Sequence, residues 1–166
     1  MWASLERRPL HLPALAPGAA CPLVPTRQIS PQYGPALGDG PVYALGFGTD
    51  SSLPAVDAAH FGTGASKWGG MKVVWVMAPG NNGAVIARGR QIDGSHALRF
   101  NGGLDQQNYQ GDWTVATLLP ELRLVWLDQA GAWDSYVRLQ APGCYAMQVD
   151  GLSFSEILVF QAVVGA

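Results

Sequence analysis

The two cysteines, Cys21 and Cys144, are the residues of this chain best suited to redox chemistry. An even count permits one intramolecular disulfide, which would close a loop of about 120 residues and contribute roughly 4–5 kcal/mol by restricting the unfolded chain. Two independent thiols, or a catalytic thiol, are the alternatives. A catalytic thiol or a zinc ion needs partners, and the three histidines, His11, His60 and His96, are scattered without a recognisable ligand spacing. We therefore favour the disulfide and expect no metal.

Four aromatic residues have the right type and setting for a different chemistry, the recognition of sugars. They lie in or beside polar, glycine-rich segments and are Trp68, Tyr109, Trp113 and Trp133. A ring can pack against the C–H face of a sugar while neighbouring polar groups bind its hydroxyls. Loop tryptophans can instead plug the ends of a core, whereas Trp75 and Trp126 lie within apolar strands and are expected to be core residues. The sequence leaves both interpretations of the loop aromatics open.

The motifs of the common enzyme classes are missing. The sequence contains no G-x-S-x-G nucleophile motif, and the stretches GDGP and GFGT lack the Gly-Lys-Ser/Thr ending of a phosphate loop. The acidic residues show no pairing of the kind that glycosidases use. We therefore expect neither enzymatic activity nor a cofactor.

The composition narrows the class of protein and its compartment. With 166 residues, 48% of them hydrophobic, the chain is large enough for one domain with a core. Only 13% of residues are charged and the net charge is −2, which argues against nucleic acid as a partner. The 21 glycines and 12 prolines favour a loop-rich extracellular or cell-envelope protein. No apolar run is long enough to span a bilayer. The charged residues 6–8 prevent the continuous apolar region that a signal peptide needs. We therefore expect an export signal or anchor outside this sequence.

Two regions must position the candidate residues. Residues 1–40 contain seven prolines and are predicted to form an extended arm packed on the domain, which comprises residues 41–166. Alternating apolar residues bounded by turn residues predict about eight strands, at residues 41–47, 71–78, 84–92, 95–100, 121–128, 133–140, 144–149 and 153–164. This pattern predicts an all-β protein, an antiparallel β-sandwich of the jelly-roll or Ig-like kind.

Turn residues and one conflict mark the later strands. The dipeptides predicted to turn the chain are Asp93-Gly94, Pro142-Gly143 and Asp150-Gly151. The first should close a hairpin between residues 84–92 and 95–100. In the last strand, Glu156 shares its parity with apolar residues such as Phe160. The face of this strand that carries Glu156 and Phe160 must therefore either bury the carboxylate or expose the aromatic rings. A β-bulge, or an interface with another molecule, would allow both residues to be accommodated.

Three blocks of the sequence resemble uncharacterised exported bacterial proteins of Gram-positive and Chloroflexi-like type. The blocks are K-x-x-W-x-x-x-P at residues 72–79, I-x-R-G-R-x-x-D-G at residues 86–94, and P-G-C-Y-x-x-Q-V-D-G-x-x-F-S at residues 142–155. Residues 101–120 do not match. The resemblance implies export and a β-sandwich, and it implies no particular activity.

The features above lead to two expectations about function. The first is a non-catalytic binding module, extracellular or of the cell envelope, whose loop aromatics bind a cell-surface glycan or whose partner is an envelope protein. The alternative is a structural or assembly protein of the cell surface that uses the N-terminal arm and apolar edges for subunit contacts. Exposed tryptophans on a concave surface would favour the first, and burial of the arm against a neighbouring copy would favour the second. Self-association is compatible with both.

Overall fold

The computed structural model describes residues 1–48, 53–57, 68–107, 115–127 and 131–163. Apart from one short α-helix and two 3-10 helices, the regular structure of these residues consists of strands. In chain order the elements are α1 (Trp2–Glu6), β1 (Arg27–Gln28), β2 (Pro35–Leu37), β3 (Val42–Leu45), β4 (Ala55–Asp57), β5 (Gly69–Met77), β6 (Gly83–Gln91), β7 (Arg99–Gly102), 3-10 helices at Leu104–Gln106 and Val115–Thr117, β8 (Leu122–Trp126), β9 (Ala132–Leu139), β10 (Gly143–Gly151) and β11 (Ser155–Val163).

The strands form two sheets that enclose one core, so the protein is an all-β sandwich, as predicted. The first sheet has the strand order β1-β2-β3-β5-β9-β7 and the second has the order β4-β11-β10-β6-β8. Among the described strands every pairing is antiparallel except that of β4 with β11. The strands outnumber the predicted eight because β1, β2 and β4 have only two or three residues. Such segments are too short for an alternating pattern to reveal them.

The core lies between the sheets and is built by strand alternation. On β10, Tyr145 and Val149 face the core, and the residues between them alternate in direction. Phe160 of β11 stacks on Tyr145, with ring centroids 5.6 Å apart. Trp75 and Trp126 are buried in the same core, which confirms the prediction for these two tryptophans.

The hairpin predicted across Asp93-Gly94 is wrong, because the strands on its two sides belong to different sheets. β6 lies in the second sheet and β7 in the first, and one bridge, between Arg90 and Ala97, joins the two segments among the described residues. The chain crosses from one sheet to the other here. After the crossing, Leu98 and Phe100 are completely buried in the core.

The turns at Asp93-Gly94 and Pro142-Gly143 meet in space. The Asp93 carboxylate accepts a hydrogen bond from the backbone N–H of Cys144, at 2.9 Å. Gly143 has a φ of 151°, and a side chain there would overlap the carboxylate of Asp93 and the side-chain amide of Gln91. The two turns together tie the end of β6 to the beginning of β10.

β10 and β11 form a C-terminal hairpin, with Asp150 opposite Ser155. The turn itself comprises residues 152–154, and Asp150 and Gly151 are the last two residues of β10. The backbone N–H of Gly151 donates to the carbonyl oxygen of Phe154 at 3.0 Å and closes the turn. The Asp-Gly pair therefore precedes the turn instead of forming it.

Glu156 is the residue that resolves the conflict in β11, because the fold hides its carboxylate beside the core. The carboxylate accepts a hydrogen bond from the backbone N–H of Asp39, 3.2 Å away in the turn between β2 and β3. Burial raises the pKa of Glu156 to about 7, although hydrogen bonds from the backbone N–H groups of Asp39, Gly40 and Val42 act to lower it. Phe160 can then occupy the core on the same parity, without a bulge or an interface.

Residues 1–26, here called the N-terminal strap, cross the outer face of the second sheet. Leu5 is fully buried against Ala84 and Ile86 of β6. Further along, Leu12 and other apolar residues of the strap pack against the outward side chains of β10. This cover explains why β10 is buried on both of its faces.

A disulfide joins Cys21 of the strap to Cys144 of β10, which confirms the predicted pairing. The two Cα atoms are 5.6 Å apart and the residues are separated by 123 positions in the sequence. After the strap, β1 pairs with β2, and β2 pairs with β3 in the first sheet. Residues 1–40 therefore contribute both a cover for one sheet and two short strands of the other.

Candidate functional site

The outer face of the first sheet carries a cluster of polar side chains around Tyr136 of β9. Its neighbours in register are Lys72 on β5 and Asn101 on β7. Val137, the next residue, is buried in the core, so strand alternation directs the half-buried Tyr136 to the outer face. Arg138 follows on the same face. We call Lys72, Asn101, Tyr136 and Arg138 the Tyr136 face.

Arg138 lies over the ring of Tyr136. Its Cζ atom is 4.8 Å from the ring centroid, within the range of a cation–π interaction. Its Nε donates a hydrogen bond of 2.8 Å to Oδ1 of Asn101. Asn101 is fully buried and Arg138 is 8% exposed. These two contacts hold the guanidinium in a fixed position beside the ring.

A surface ion pair flanks Tyr136 on its other side. Nζ of Lys72 is 3.4 Å from a carboxylate oxygen of Asp134, and both side chains are more than half exposed. The pair places hydrogen-bond donors and acceptors next to the ring. Because the pair is exposed, it contributes little to stability, so its groups can exchange their contacts for others at small cost.

The connection between β7 and β8 is anchored beside Tyr136 at both of its described ends. Asn101 Nδ2 donates to the carbonyl oxygen of Thr117 at 3.3 Å, and Gln106 Nε2 donates to the same oxygen at 2.7 Å. Tyr109 and Trp113, two of the predicted aromatic residues, lie outside the described residues, in the segment between these anchors.

Trp68 and Trp133 are placed at opposite ends of the first sheet. Trp68 is half-buried and directly precedes the first residue of β5, which pairs with Leu139 at the end of β9. Trp133 lies near the beginning of β9, opposite Trp75. Seven residue steps along β5 separate Trp68 from the position opposite Trp133, a distance of about 23 Å at the rise of a β-strand. The structure therefore does not bring Trp68 and Trp133 into one platform.

Trp133 closes one end of the core. Its indole Nε1 donates a hydrogen bond of 2.8 Å to the carbonyl oxygen of Val125, and its ring packs against the main core. Because β9 and β8 belong to different sheets, this side chain also links the two sheets. Its geometry fits the core-plugging interpretation of a loop tryptophan.

A second polar cluster, centred on Asp150, lies on the outer face of the second sheet beneath the N-terminal strap. Asp150 is fully buried. Its carboxylate accepts hydrogen bonds from three side chains, those of Arg88 (2.9 Å), Gln148 (2.9 Å) and Ser155 (2.7 Å). Nη1 of Arg8, a strap residue, is 3.8 Å from the same carboxylate. The cluster thus attaches the strap to the sheet, and sequence reasoning missed it.

Comparison with known proteins gives no relative from which the role of the site could be inferred. The chain matches no protein-family model, no curated protein and no solved structure. Within the described ranges, no group of three or more His, Cys, Asp or Glu side chains could hold a metal ion. Among the helices of those ranges, none has the length and apolar character to cross a membrane. The fold and the disulfide define the chain as a cross-linked β-sandwich, and the resemblance to exported bacterial proteins stays a prediction.

Proposed function

We propose that this chain is a non-catalytic binding module of an extracellular or cell-envelope protein, and that the Tyr136 face binds a glycan. One observation carries the proposal. The ring of Tyr136 lies between an amine and an amide on neighbouring strands, with a guanidinium stacked on it. The half-buried ring and the exposed Lys72–Asp134 pair thus put an apolar surface beside hydrogen-bonding groups.

The chemistry of a sugar explains why this arrangement suits it. A pyranose has an apolar C–H face and a rim of hydroxyl groups that both donate and accept hydrogen bonds. Half-buried Tyr136 supplies the part of its ring that Arg138 leaves uncovered, the exposed amine of Lys72 supplies donors, and the exposed carboxylate of Asp134 supplies acceptors. Arg138 is already held in place by Asn101, which reduces the conformational entropy lost on binding.

The four aromatic residues predicted from the sequence do not all belong to the proposed site. Trp68 directly precedes the strand that pairs with the Arg138 end of β9, whereas Tyr109 and Trp113 lie outside the described residues. Trp68 is therefore proposed to add a ring to the Tyr136 face, and Tyr109 and Trp113 remain candidates from the sequence alone. We leave Trp133 out of the proposed site, because its indole is engaged with the core.

The disulfide supports a location outside the cytosol. A cross-link between Cys21 and Cys144 persists in oxidising compartments and is rare in a reducing cytosol. The proposed partner, a cell-surface or extracellular glycan, is found in the same kind of compartment.

A pull-down on insoluble polysaccharides tests the proposal. Wild-type protein is incubated with cellulose, chitin, xylan, mannan or peptidoglycan, and the retained fraction is measured. We expect retention on at least one of them, and Tyr136→Ala should lower the affinity by about tenfold, since loss of a stacking ring is worth of the order of 1.4 kcal/mol.

Tyr33→Ala is the matched control, because Tyr33 is also half-buried but lies between β1 and β2, away from the Tyr136 face. It should bind as wild type does, and circular dichroism should show that both variants fold. If wild type binds none of the polysaccharides, or if Tyr136→Ala binds as well as wild type, the proposal is wrong.

A further inference from the structure

The chain contains two Asn-Gly pairs, at residues 82–83 and 101–102, and the structure places them in opposite surroundings. An Asn-Gly pair can react without an enzyme, because glycine has no side chain to hinder attack by its own backbone nitrogen on the preceding carboxamide. Whether the pair reacts depends on the freedom of that carboxamide and of that nitrogen. The two pairs share one chemistry, so the fold decides between them.

Asn82 lies in the turn that leads from β5 of the first sheet to β6 of the second, and it is exposed. Within the described ranges its side chain makes no hydrogen bond. The neighbouring Asn81 differs, because its Nδ2 donates to the carbonyl oxygens of Ala78 and Pro79 at 3.3 Å. The carboxamide of Asn82 is therefore free to rotate towards the backbone nitrogen of Gly83.

Gly83 gives its backbone nitrogen room to approach that carboxamide. It is the first residue of β6 and lies opposite Trp126 at one end of the pairing with β8, and the end of a ladder opens more readily than its centre. Its φ is 112°, and no atom of a non-neighbouring residue lies within 4 Å of the position that a Cβ would take. A ring can therefore close between the two residues without displacing a packed neighbour.

Asn101 and Gly102 are held at each of the reacting groups. Asn101 is fully buried, its Nδ2 donates to the carbonyl oxygen of Thr117 at 3.3 Å, and its Oδ1 accepts from Nε of Arg138 at 2.8 Å. The backbone N–H of Gly102, which would be the attacking group, donates to Oε1 of Gln106 at 2.7 Å. Ring closure here would break these three hydrogen bonds at a buried position, where the loss of a partner is costly.

We propose that Asn82 is a site of spontaneous deamidation in the folded protein, with water as the co-reactant, and that the fold protects Asn101 from the same reaction. The backbone nitrogen of Gly83 bonds to Cγ of Asn82, the bond between Cγ and Nδ2 breaks, and Nδ2 leaves as ammonia with the proton that Gly83 gives up. Water then opens the resulting succinimide. Addition of water at Cγ yields aspartate, and addition at the backbone carbonyl carbon of residue 82 yields isoaspartate.

The reaction changes the link between the two sheets. Each converted molecule gains one carboxylate, so the formal net charge of −2 becomes more negative by one. Isoaspartate also lengthens the backbone of the link by one methylene group. The link is fixed at both ends, because the backbone N–H of Ala78 donates to the carbonyl oxygen of Pro41 at 2.7 Å and Gly83 begins β6. Folded protein therefore becomes a mixture of charge forms as it ages.

The experiment compares the two pairs within one molecule. Folded, oxidised protein is incubated in a mildly alkaline buffer made with H₂¹⁸O and digested at intervals. The peptides that contain residues 82 and 101 are then compared by mass spectrometry with synthetic aspartate and isoaspartate standards. We expect both products at Asn82, each carrying ¹⁸O, and an initial rate at least about tenfold higher than at Asn101, because the reaction at Asn101 requires local unfolding.

Protein that has been reduced and unfolded in urea is the matched control. Both pairs should convert there at similar rates, since their surroundings are then alike. A second control is Asn82→Gln, which keeps a side-chain amide but closes the larger ring slowly and should stay unmodified at position 82. If Asn82 is unmodified in the folded protein, if Asn101 converts there as fast as Asn82, or if the difference between them persists after unfolding, the proposal is overturned.

Discussion

Asp150 and Arg88 form an ion pair of 2.9 Å between β10 and β6, and the carboxylate of this pair is fully buried. The pair lies where the second sheet meets the N-terminal strap, since Arg88 also donates to the backbone of the strap. The strap therefore belongs to the folded domain, and its attachment depends on a charge that has no access to water.

Removal of the Asp150 carboxylate should destabilise the protein strongly. Asp150→Ala leaves the largely buried Arg88 without its counter-ion, so we expect the free energy of unfolding to fall by about 3–5 kcal/mol in urea denaturation. Asp134→Ala is the control, because Asp134 forms an exposed pair with Lys72 that is worth about 0–1 kcal/mol. Equal effects of the two substitutions would contradict the structural role assigned to Asp150.

Loss of the disulfide should also lower stability. Replacing both Cys21 and Cys144 by serine removes a cross-link over 123 positions, and the chain-entropy model predicts a loss of about 4–5 kcal/mol. Urea denaturation of the double variant measures this loss. Intact-mass analysis after alkylation is the accompanying check, and two alkylated thiols in the native, unreduced protein would disprove the cross-link.

The stability of the protein should depend on pH through Glu156. Its pKa is about 7 in the folded protein and near 4.5 in the unfolded chain, because burial disfavours the charged form. Between these values the folded state holds a proton that the unfolded state has lost, so this group costs stability as the pH rises from 4.5 to 7.

Glu156→Gln removes that dependence because glutamine stays neutral. We expect the variant to be more stable than wild type above about pH 7, with the difference shrinking to its smallest value near pH 4.5. Thermal unfolding of both proteins over this range measures the difference. A stability difference that is the same at every pH would show that Glu156 does not titrate in this way.

Trp133→Phe should separate stability from binding. The substitution keeps an aromatic ring in the core but removes the hydrogen bond to Val125, so we expect a loss of about 1 kcal/mol in the free energy of unfolding. Retention on polysaccharides should be unchanged. A large loss of retention would place Trp133 in the binding surface and would contradict its assignment to the core.

Much of the fold follows from local patterns in the sequence. Alternation predicted the all-β class and most of the long strands, and the even cysteine count predicted the pairing of Cys21 with Cys144. The failure at Asp93-Gly94 has a physical cause, because an Asp-Gly dipeptide favours a turn whether the next strand continues the sheet or crosses to the other one. Which of the two occurs depends on how the complete core packs, including around the fully buried Leu98 and Phe100.

The two polar clusters were harder to predict because each is assembled by tertiary pairing. Tyr136 and Asn101 are distant in the sequence and become neighbours only through the register of β9 with β7. Asp150 looks like a turn residue in the sequence, and its partner Arg8 comes from the opposite end of the chain. No local pattern encodes either contact.

Chemical-shift mapping tests the central claim, that the Tyr136 face binds a glycan, most directly. The ¹⁵N-labelled protein is titrated with cello-, chito-, xylo- and manno-oligosaccharides while its backbone amide resonances are followed. We predict that at least one of these sugars shifts the resonances of Lys72, Asn101, Tyr136 and Arg138 and leaves those of Arg88, Gln148 and Asp150, on the outer face of the second sheet, unchanged. No shift with any of them, or shifts confined to the outer face of the second sheet, would contradict the account.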